Sequence, residues 1–244
     1  MRQYGSPGDW TNLLDSQVPS ILELVVDTWG RISAPAANEL EDSITNRLCA
    51  ALQNHPNRES YPFHIRSQTV ILEPGLGTEL GRMDIAFLPF VPSDNIYFCL
   101  ECKRLNVLIG NSVRAYFVEY VRFGMLRFVT GQYASAVRHG GMLAYILNGD
   151  VAGAIAGVEG NIRTLHQNLG MDSPGAFQAS SIRPTDAMAR ETSHRRMGNP
   201  DPLLIHHLFV AGDPNAPMLP DTASASGTPP RKRKQATTKR RTGT

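Results

Sequence analysis

The sequence predicts an α/β domain with a mixed central β-sheet flanked by helices. Helical and strand-like hydrophobic patterns follow one another in the order α, β, β, β, α, β, α, β. The three consecutive strands are joined by turns, which indicates an antiparallel meander. A later run, GMLAYILNG (141–149), is apolar throughout, as expected of a central strand buried on both faces. At 244 residues and 41% hydrophobic content, the chain is long and apolar enough for a substantial core.

The helices are predicted from the spacing of apolar side chains. VPSILELVVDTWGRI (18–32) suits a short amphipathic helix, and AANELEDSITNRLCAALQN (36–54) is a stronger one, with a leucine or isoleucine at every fourth position from Leu40 to Leu52. Residues 111–139 also have a helical stripe. Asp150 is placed to cap a further helix that begins at Val151.

The strands are predicted from short apolar segments bounded by turn residues. These segments are FHIRSQTVILE (63–73), RMDIAFLPF (82–90), NIYFCLECKRL (95–105) and PLLIHHLFVA (202–211). Residues 170–201 resemble a loop. We expect residues 1–212 to form the domain, with its core at about 36–150, and residues 213–244 to form a disordered basic tail.

Charge is distributed unevenly along the chain. From Asp221 onward there are seven basic residues and one acid, whereas the preceding 220 residues hold 17 basic and 21 acidic residues. The tail therefore has three interpretations: a phosphate-binding segment, a nuclear-import signal or a solubility tail. We favour the first, because a net-negative body needs positive charge from elsewhere to approach a phosphate backbone. Its candidate contacts are Arg231, Lys232, Arg233 and Lys234.

Several classes of protein are disfavoured by the sequence. No apolar run approaches the length of a membrane-spanning helix, and the N-terminus lacks the pattern of a secretory signal. Three cysteines are too few and too odd in number for a disulfide framework, so a cytoplasmic location is expected. Cys99 and Cys102 would point to opposite faces of a strand, which argues against zinc.

One strand carries an unusual set of polar residues. In YFCLECKRL (97–105), Glu101 and Lys103 share a face, and Lys103 is the only lysine in residues 1–230, which contain 16 arginines. Asp84, on the preceding strand, faces away from its apolar neighbours and could meet Glu101 near one end of the sheet. Two carboxylates so close repel each other unless a cation lies between them. Oxygen ligands in small number suit Mg²⁺ or Mn²⁺.

An amine beside such a cation has a chemical use. Lys103 would orient or deprotonate an attacking water, with its pKa lowered by burial near positive charge. Arginine stays protonated and could not replace it in that role.

Asp84, a gap of 16 residues, and then Glu101-Cys102-Lys103 resemble the D…ExK signature of the restriction-endonuclease-like PD-(D/E)xK nucleases. The resemblance covers about residues 36–150, including the α-β-β-β-α-β order, although Met83 stands where the family name has Pro. It implies metal-dependent phosphodiester hydrolysis, with Asp84, Glu101 and the backbone carbonyl of Cys102 holding the metal and Lys103 positioning water. The family's optional helix acid corresponds best to Glu41, with Glu39 as the weaker candidate.

Each residue also has a structural interpretation. Glu101 and Lys103 would also fit a solvated ion pair, Asp84 an acceptor for the glycine-rich turn, and Glu41 an acid that favours the helix dipole. Three basic residues of the cluster RETSHRR (190–196) would contact DNA phosphates or lie in a solvated loop, and these are Arg190, Arg195 and Arg196. His206 and His207 alternate across the last strand and are expected to be core or edge residues.

The residues and this resemblance together predict a Mg²⁺-dependent nuclease, and the resemblance implies a DNA endonuclease of the kind used in prokaryotic restriction, repair or phage defence. The alternative is a non-catalytic nucleic-acid-binding protein, or a complex subunit, with a nuclease-like fold. We expect the protein to bind DNA. We do not expect it to bind a membrane. The sequence does not decide between a monomer, a homodimer and a defence-complex subunit.

Overall fold

The structure, a computed structural model, describes residues 5–73, 75–213, 215, 218 and 219. The helices are α1 Pro7–Trp29, α2 Glu41–Gln53, α3 Phe117–Tyr120, α4 Leu126–Val129 and α5 Val151–Leu165, with a 3₁₀ turn at Arg58–Ser60 and a π-helical segment at Val121–Met125. The strands are β1 Phe63–Leu72, β2 Glu79–Pro89, β3 Phe98–Leu105, β4 Val107–Ile109, β5 Ser112–Arg114, β6 His139–Ile146, β7 Gln178–Ala179, β8 Ala189–His194 and β9 Leu203–Ala211.

Seven strands form one mixed sheet in the order β1-β2-β3-β6-β9-β8-β7. The central strands β3, β6 and β9 are parallel, and the remaining pairs are antiparallel. Helices cover both faces of this sheet. Tyr145 of β6 stacks on Trp29 of α1 and contacts Thr45 of α2, whereas Phe209 of β9 stacks on Tyr120 of α3 on the opposite face. The predicted α/β class with a mixed, helix-flanked sheet is confirmed.

Several local predictions are confirmed as well. The β1-β2-β3 meander is antiparallel, with Ile85 opposite Leu100 in the β2–β3 pair. β6 is a central strand, and all its residues except His139 are buried. Asp150 caps α5, since its Oδ1 atom accepts a hydrogen bond from Gly153 N at 2.9 Å.

The first helix is longer than predicted, beginning at Pro7 instead of near residue 18. Ser6 and Asp9 form a capping box, in which each side chain accepts from the other's backbone N–H. Pro19 lies inside α1 and does not end it. Proline inside a helix removes a backbone hydrogen bond and destabilises the helix. The capping box and the buried apolar residues on both sides of Pro19 offset this destabilisation.

Two other segments differ from the prediction. Residues 111–139 are helical only from 117 to 129, because Gly110-Asn111 forms the turn of a β-hairpin between β4 and β5. Residues 170–201 are not all loop, since β8 pairs with β9 and extends the sheet. β8 was missed because RETSH (190–194) is polar, and polar strands at the periphery of a sheet carry little hydrophobic signal.

No helix among the described residues is both long and apolar enough to cross a membrane. The basic tail residues Arg231, Lys232, Arg233 and Lys234 lie outside the described residues.

Candidate active site

The site lies where β2 and β3 separate. Ile85 and Leu100 are the last paired residues, and Asp84 and Glu101 come next on the two strands. Beyond that point the backbone of β2 is bonded by side chains, because Tyr133 Oη donates to the carbonyl of Arg82 at 2.6 Å. Gln132 Nε2 likewise donates to Leu80 O at 2.5 Å. The result is a fork in the sheet whose two inner positions are acidic.

Asp84 spans this fork with its carboxylate. Its Oδ2 atom accepts a hydrogen bond from Cys102 N at 2.7 Å, which ties β2 to β3 through a side chain. Its Oδ1 atom lies 3.4 Å from Gln68 Nε2. Gln68 has a left-handed backbone, with φ at 49°, at the point where β1 passes Asp84. The Asp84 carboxylate is thus held at one oxygen and only weakly contacted at the other.

Glu101 is the most deeply buried acid of the cluster, with 1% of its surface exposed. The π-helical segment lies over it. A Cβ atom added to Gly124 would come within 2.4 Å of Met142 Cε and 3.7 Å of Glu101 Cγ, so the absent side chain allows this close approach. π-Helical segments inside α-helices often accompany functional sites.

Lys103 is bonded to three oxygens. Its Nζ atom lies 2.8 Å from Glu101 Oε1, 3.0 Å from Glu41 Oε1 and 2.8 Å from Cys102 O. An ammonium has three N–H donors, so this set uses all of them. The side chain is 14% exposed. Lys103 is therefore an enclosed amine with an almost fixed position.

Glu41 is the first residue of α2 and links that helix to the end of β3. Its Oε1 atom accepts from Lys103, and its Oε2 atom accepts from Arg104 N at 3.0 Å. Glu39 lies in a different environment, where it pairs with Arg47 and accepts from Ala36 N. Of the two predicted helix acids, Glu41 is the one that reaches the cluster.

Burial and mutual repulsion dominate the electrostatics of the cluster. Burial, and then the Glu101 carboxylate, raise the pKa of Asp84 to about 7 against the opposing effects of Lys103 and the Cys102 N–H. Burial by itself lowers the pKa of Lys103, but the carboxylates of Glu101, Glu41 and Asp84 outweigh burial, and the pKa is raised. The sequence predicted a lowered Lys103 pKa. That prediction concerns the amine beside a bound cation, whereas in the protein alone the pKa is raised because three acids surround the amine.

The sequence did not single out Arg127. Its Nη1 atom donates to Glu101 Oε1 and to Tyr133 Oη at 2.8 and 2.9 Å. The sequence feature that could have identified Arg127 is its place inside the apolar stretch FGMLRFV (123–129), since an arginine there indicates a charge with a buried partner. Gln132 and Tyr133 lie next to the site and hold β2 through its carbonyls.

The donors available to a cation are oxygens. Glu101 Oε2 is buried without a hydrogen-bond partner in the described structure, and Asp84 Oδ1 is only weakly bonded. The Cys102 carbonyl already accepts from Lys103. Over the described ranges, no group of three or more His, Cys, Asp or Glu side chains is arranged to hold a metal ion. Two carboxylates remain, which fits Mg²⁺ or Mn²⁺, since such ions keep several water ligands.

The remaining predicted residues lie elsewhere. The Arg196 guanidinium is buried and donates to the carbonyls of Ala134 and Val137, whereas Arg195 is exposed and pairs with Asp172. Arg190 donates to the carbonyls of Asp186 and Ala189. Arg195 and Arg196 line a groove of about 740 Å³ whose wall includes none of Asp84, Glu101, Lys103 or Glu41.

Both histidines of the last strand are core residues away from the carboxylates. His206 contacts His139, and His207 contacts Tyr120 and Thr192.

Comparison with known proteins gives no relative: no family model, no curated protein and no solved structure matches this chain. The class of the protein is therefore defined by its own fold and site. It is an α/β protein with a mixed sheet, in which three acids and one lysine converge at a fork between two strands.

Proposed function

We propose that this protein is a Mg²⁺- or Mn²⁺-dependent nuclease that hydrolyses phosphodiester bonds in DNA. One observation carries the proposal: Asp84, Glu101 and Lys103 come together at the fork between β2 and β3. The order α2, β1, β2, β3, α3–α4, β6 supports the resemblance to PD-(D/E)xK nucleases. Glu41 adds a fourth residue that this resemblance predicts at the site.

The protein groups have separate tasks in this chemistry. Asp84 Oδ1 and Glu101 Oε2 would hold the divalent ion, which when bound supplies positive charge that offsets the charge developing on the phosphate. Without a bound ion, the surrounding acids raise the pKa of Lys103 and keep it an ammonium. One of its three N–H groups would leave its present acceptor, orient the attacking water and stabilise negative charge on the phosphate, since all three are bonded in the protein alone. In this scheme Lys103 acts as a hydrogen-bond donor.

Two further groups hold the reacting residues in place. Arg127 binds Glu101 through Oε1, so the second oxygen stays directed away from that contact. Glu41 holds Lys103 from the opposite side and ties the start of α2 to Arg104 N. Fixed positions matter, because a displacement of about 1 Å can cost roughly 100-fold in rate.

The test is DNA cleavage by the full chain with Mg²⁺, Mn²⁺ or EDTA. We expect cutting with either metal, none with EDTA, and 5′-phosphate products. Asp84→Asn and Lys103→Ala should each reduce the rate by at least about 100-fold. Glu79→Gln is the matched control, since Glu79 is an exposed acid on the same strand as Asp84. Cleavage by the two variants at the rate of the parent would overturn the proposal.

A second candidate function is metal-independent nucleic-acid binding. It is favoured by one observation: all three N–H donors of Lys103 are already used by Glu101, Glu41 and the Cys102 carbonyl. Replacing the four basic tail residues 231–234 with glutamine separates the candidates. A binding protein would lose most of its DNA affinity and never cut, whereas a nuclease would keep metal-dependent cleavage at higher protein concentration.

A further inference from the structure

The hairpin formed by β4 and β5 directly follows the strand that carries Glu101 and Lys103. Its base is fixed to the body at two points, and a further hydrogen bond joins its two sides. Val107 is buried, Leu108 N donates to Ala37 O at 3.0 Å, and Asn106 N donates to Ala115 O at 3.2 Å. The orientation of the hairpin is therefore set by the body of the protein.

The outer part of this hairpin exposes branched apolar side chains on both of its faces. Ile109 and Val113 are each 52% exposed. Val113 is paired with Leu108 and Ile109 with Ser112, so the two exposed side chains point to opposite faces of the ribbon. A two-stranded ribbon gains nothing in stability from apolar side chains left in water. Such a projection is suited to insertion between two separated surfaces.

Basic and aromatic groups flank the base of the hairpin. The guanidinium carbons of Arg104 and Arg114 lie 5.7 and 4.4 Å from the centre of the Tyr116 ring. Arg114 also pairs with Glu119 and remains exposed. Asn106 and Tyr116 have left-handed backbones, with φ at 54° and 59°, on the two sides of the hairpin. Strain of this kind, at a projection beside a candidate active site, is typical of a functional element.

We propose that this hairpin is a wedge that contacts DNA at an exposed base pair, so that the preferred substrate is forked DNA and not continuous duplex. The inference rests on the proposed function for its choice of DNA as partner. Ile109 and Val113 pack against the base pair at the fork, as apolar wedges do in other DNA-binding proteins. Arg104 and Arg114 contact the phosphates of the flanking strand.

The short segment between Lys103 and Ile109 limits the distance between the candidate active site and the wedge. Ile109 is six residues after Lys103, so their Cα atoms are at most about 20 Å apart. Since one strand of duplex advances about 3.4 Å per nucleotide, this distance covers about six nucleotides. Cleavage is therefore expected within about six nucleotides of the fork.

The experiment measures DNA binding without cleavage, in the full chain carrying Asp84→Asn. The probes are a 30-base-pair duplex and the same duplex opened into a fork, each with 2-aminopurine at the pair next to the opening. We expect at least about 10-fold tighter binding to the fork, a preference of the size that one or two base-stacking contacts provide. A rise in 2-aminopurine fluorescence on binding should accompany it.

In the same background, Ile109→Ser with Val113→Ser should abolish the fork preference and the fluorescence rise, with duplex affinity unchanged. Leu76→Ser is the matched control, since Leu76 is a 73% exposed apolar residue at the β1–β2 turn. Arg114→Gln, which leaves the apolar tip intact, should weaken binding to both probes. Far-ultraviolet circular dichroism and the melting temperature verify that each variant is folded.

Equal binding of the two probes by the parent, or an unchanged fork preference in the serine variant, overturns the wedge. So does a dimer in sedimentation that the serine substitutions convert to a monomer, because the hairpin would then be a subunit interface. Fork preference in a chain that never cuts DNA refutes the nuclease and leaves the wedge in place. Cleavage without fork preference refutes only the wedge, and no DNA binding at all refutes both.

Discussion

Arg127 and Lys103 donate to the same atom, since Arg127 Nη1 and Lys103 Nζ each lie 2.8 Å from Glu101 Oε1. Oε2, the other oxygen of this buried carboxylate, has no partner in the described part of the chain. Two cations on one oxygen fix the carboxylate and leave its second oxygen available to a ligand. Glu101 is therefore oriented by the protein before any metal binds.

Arg127→Ala should impair both stability and cleavage. The buried Glu101 would keep one cationic partner, so the expected loss is about 1–2 kcal/mol of unfolding free energy, below the full cost of breaking a buried pair. Because Glu101 would no longer be fixed, the cleavage rate should fall by at least about 10-fold. Urea unfolding and single-turnover cleavage measure the two effects. Arg127→Lys should recover part of the rate, and a rate equal to that of the alanine variant would contradict the positioning role.

Lys103→Met removes the amine from its three oxygens and should cost about 3 kcal/mol of unfolding free energy in EDTA, because acids stay buried without their main cation. Added Mg²⁺ should reduce this loss, since a divalent ion would replace part of the missing charge. Arg82→Met is the control, because the exposed Arg82–Glu79 pair contributes little and its loss should stay within about 0.5 kcal/mol. Thermal unfolding with and without Mg²⁺ measures both variants. An unchanged Lys103→Met midpoint would contradict the electrostatic account.

The central strands could be predicted because their patterns are strong. β6 is apolar throughout, β3 is buried from Phe98 to Cys102, and β2 is buried from Ile85 to Phe87. Hydrophobic periodicity reports burial, so buried strands are predicted well. The β4–β5 hairpin and β8 carry exposed or polar residues. These segments form strands because each pairs with another strand. Nothing within those segments alone specifies that partner.

The site was predictable in part for the same reason. Strand period placed Glu101 and Lys103 on one face, and the unique lysine drew attention to that strand. Arg127 could not be assigned, because its link to Glu101 depends on how a helix 26 residues later in the chain packs on the sheet. The raised pKa of Lys103 likewise depends on Glu41, which contacts it across 62 residues of sequence.

Tyr133→Phe should weaken the fork between β2 and β3. The hydroxyl donates to Arg82 O and accepts from Arg127, and its loss removes the donor to that carbonyl while Arg127 keeps its contact with Glu101. We expect a loss of about 1–2 kcal/mol of unfolding free energy. Hydrogen exchange should increase at residues 80–84 and stay unchanged in β9, which serves as the internal control. Uniform protection across both strands would contradict the assigned role of this hydroxyl.

A separate histidine cluster should govern part of the response to acid. His206 is buried, its Nε2 atom lies 3.0 Å from His139 Nδ1, and its Nδ1 atom has no partner in the described structure. Burial, and then His139, lower the pKa of His206 to about 4, with Glu191 opposing them. Asp15 contacts His139, and Arg138 pairs with Asp15, so the cluster already contains both charge signs.

His206→Phe should make the protein less sensitive to acid. The unfolded chain takes up a proton near pH 6.5, whereas folded His206 takes one up only near pH 4, so its contribution is present above pH 6.5 and is lost as the pH falls between those values. The parent should therefore lose up to about 3 kcal/mol more than the variant between pH 7.5 and pH 4. Urea unfolding at several pH values measures this difference. His64→Phe, at an exposed position, should keep the pH dependence of the parent, and parallel curves for parent and His206→Phe would show that His206 does not titrate on unfolding.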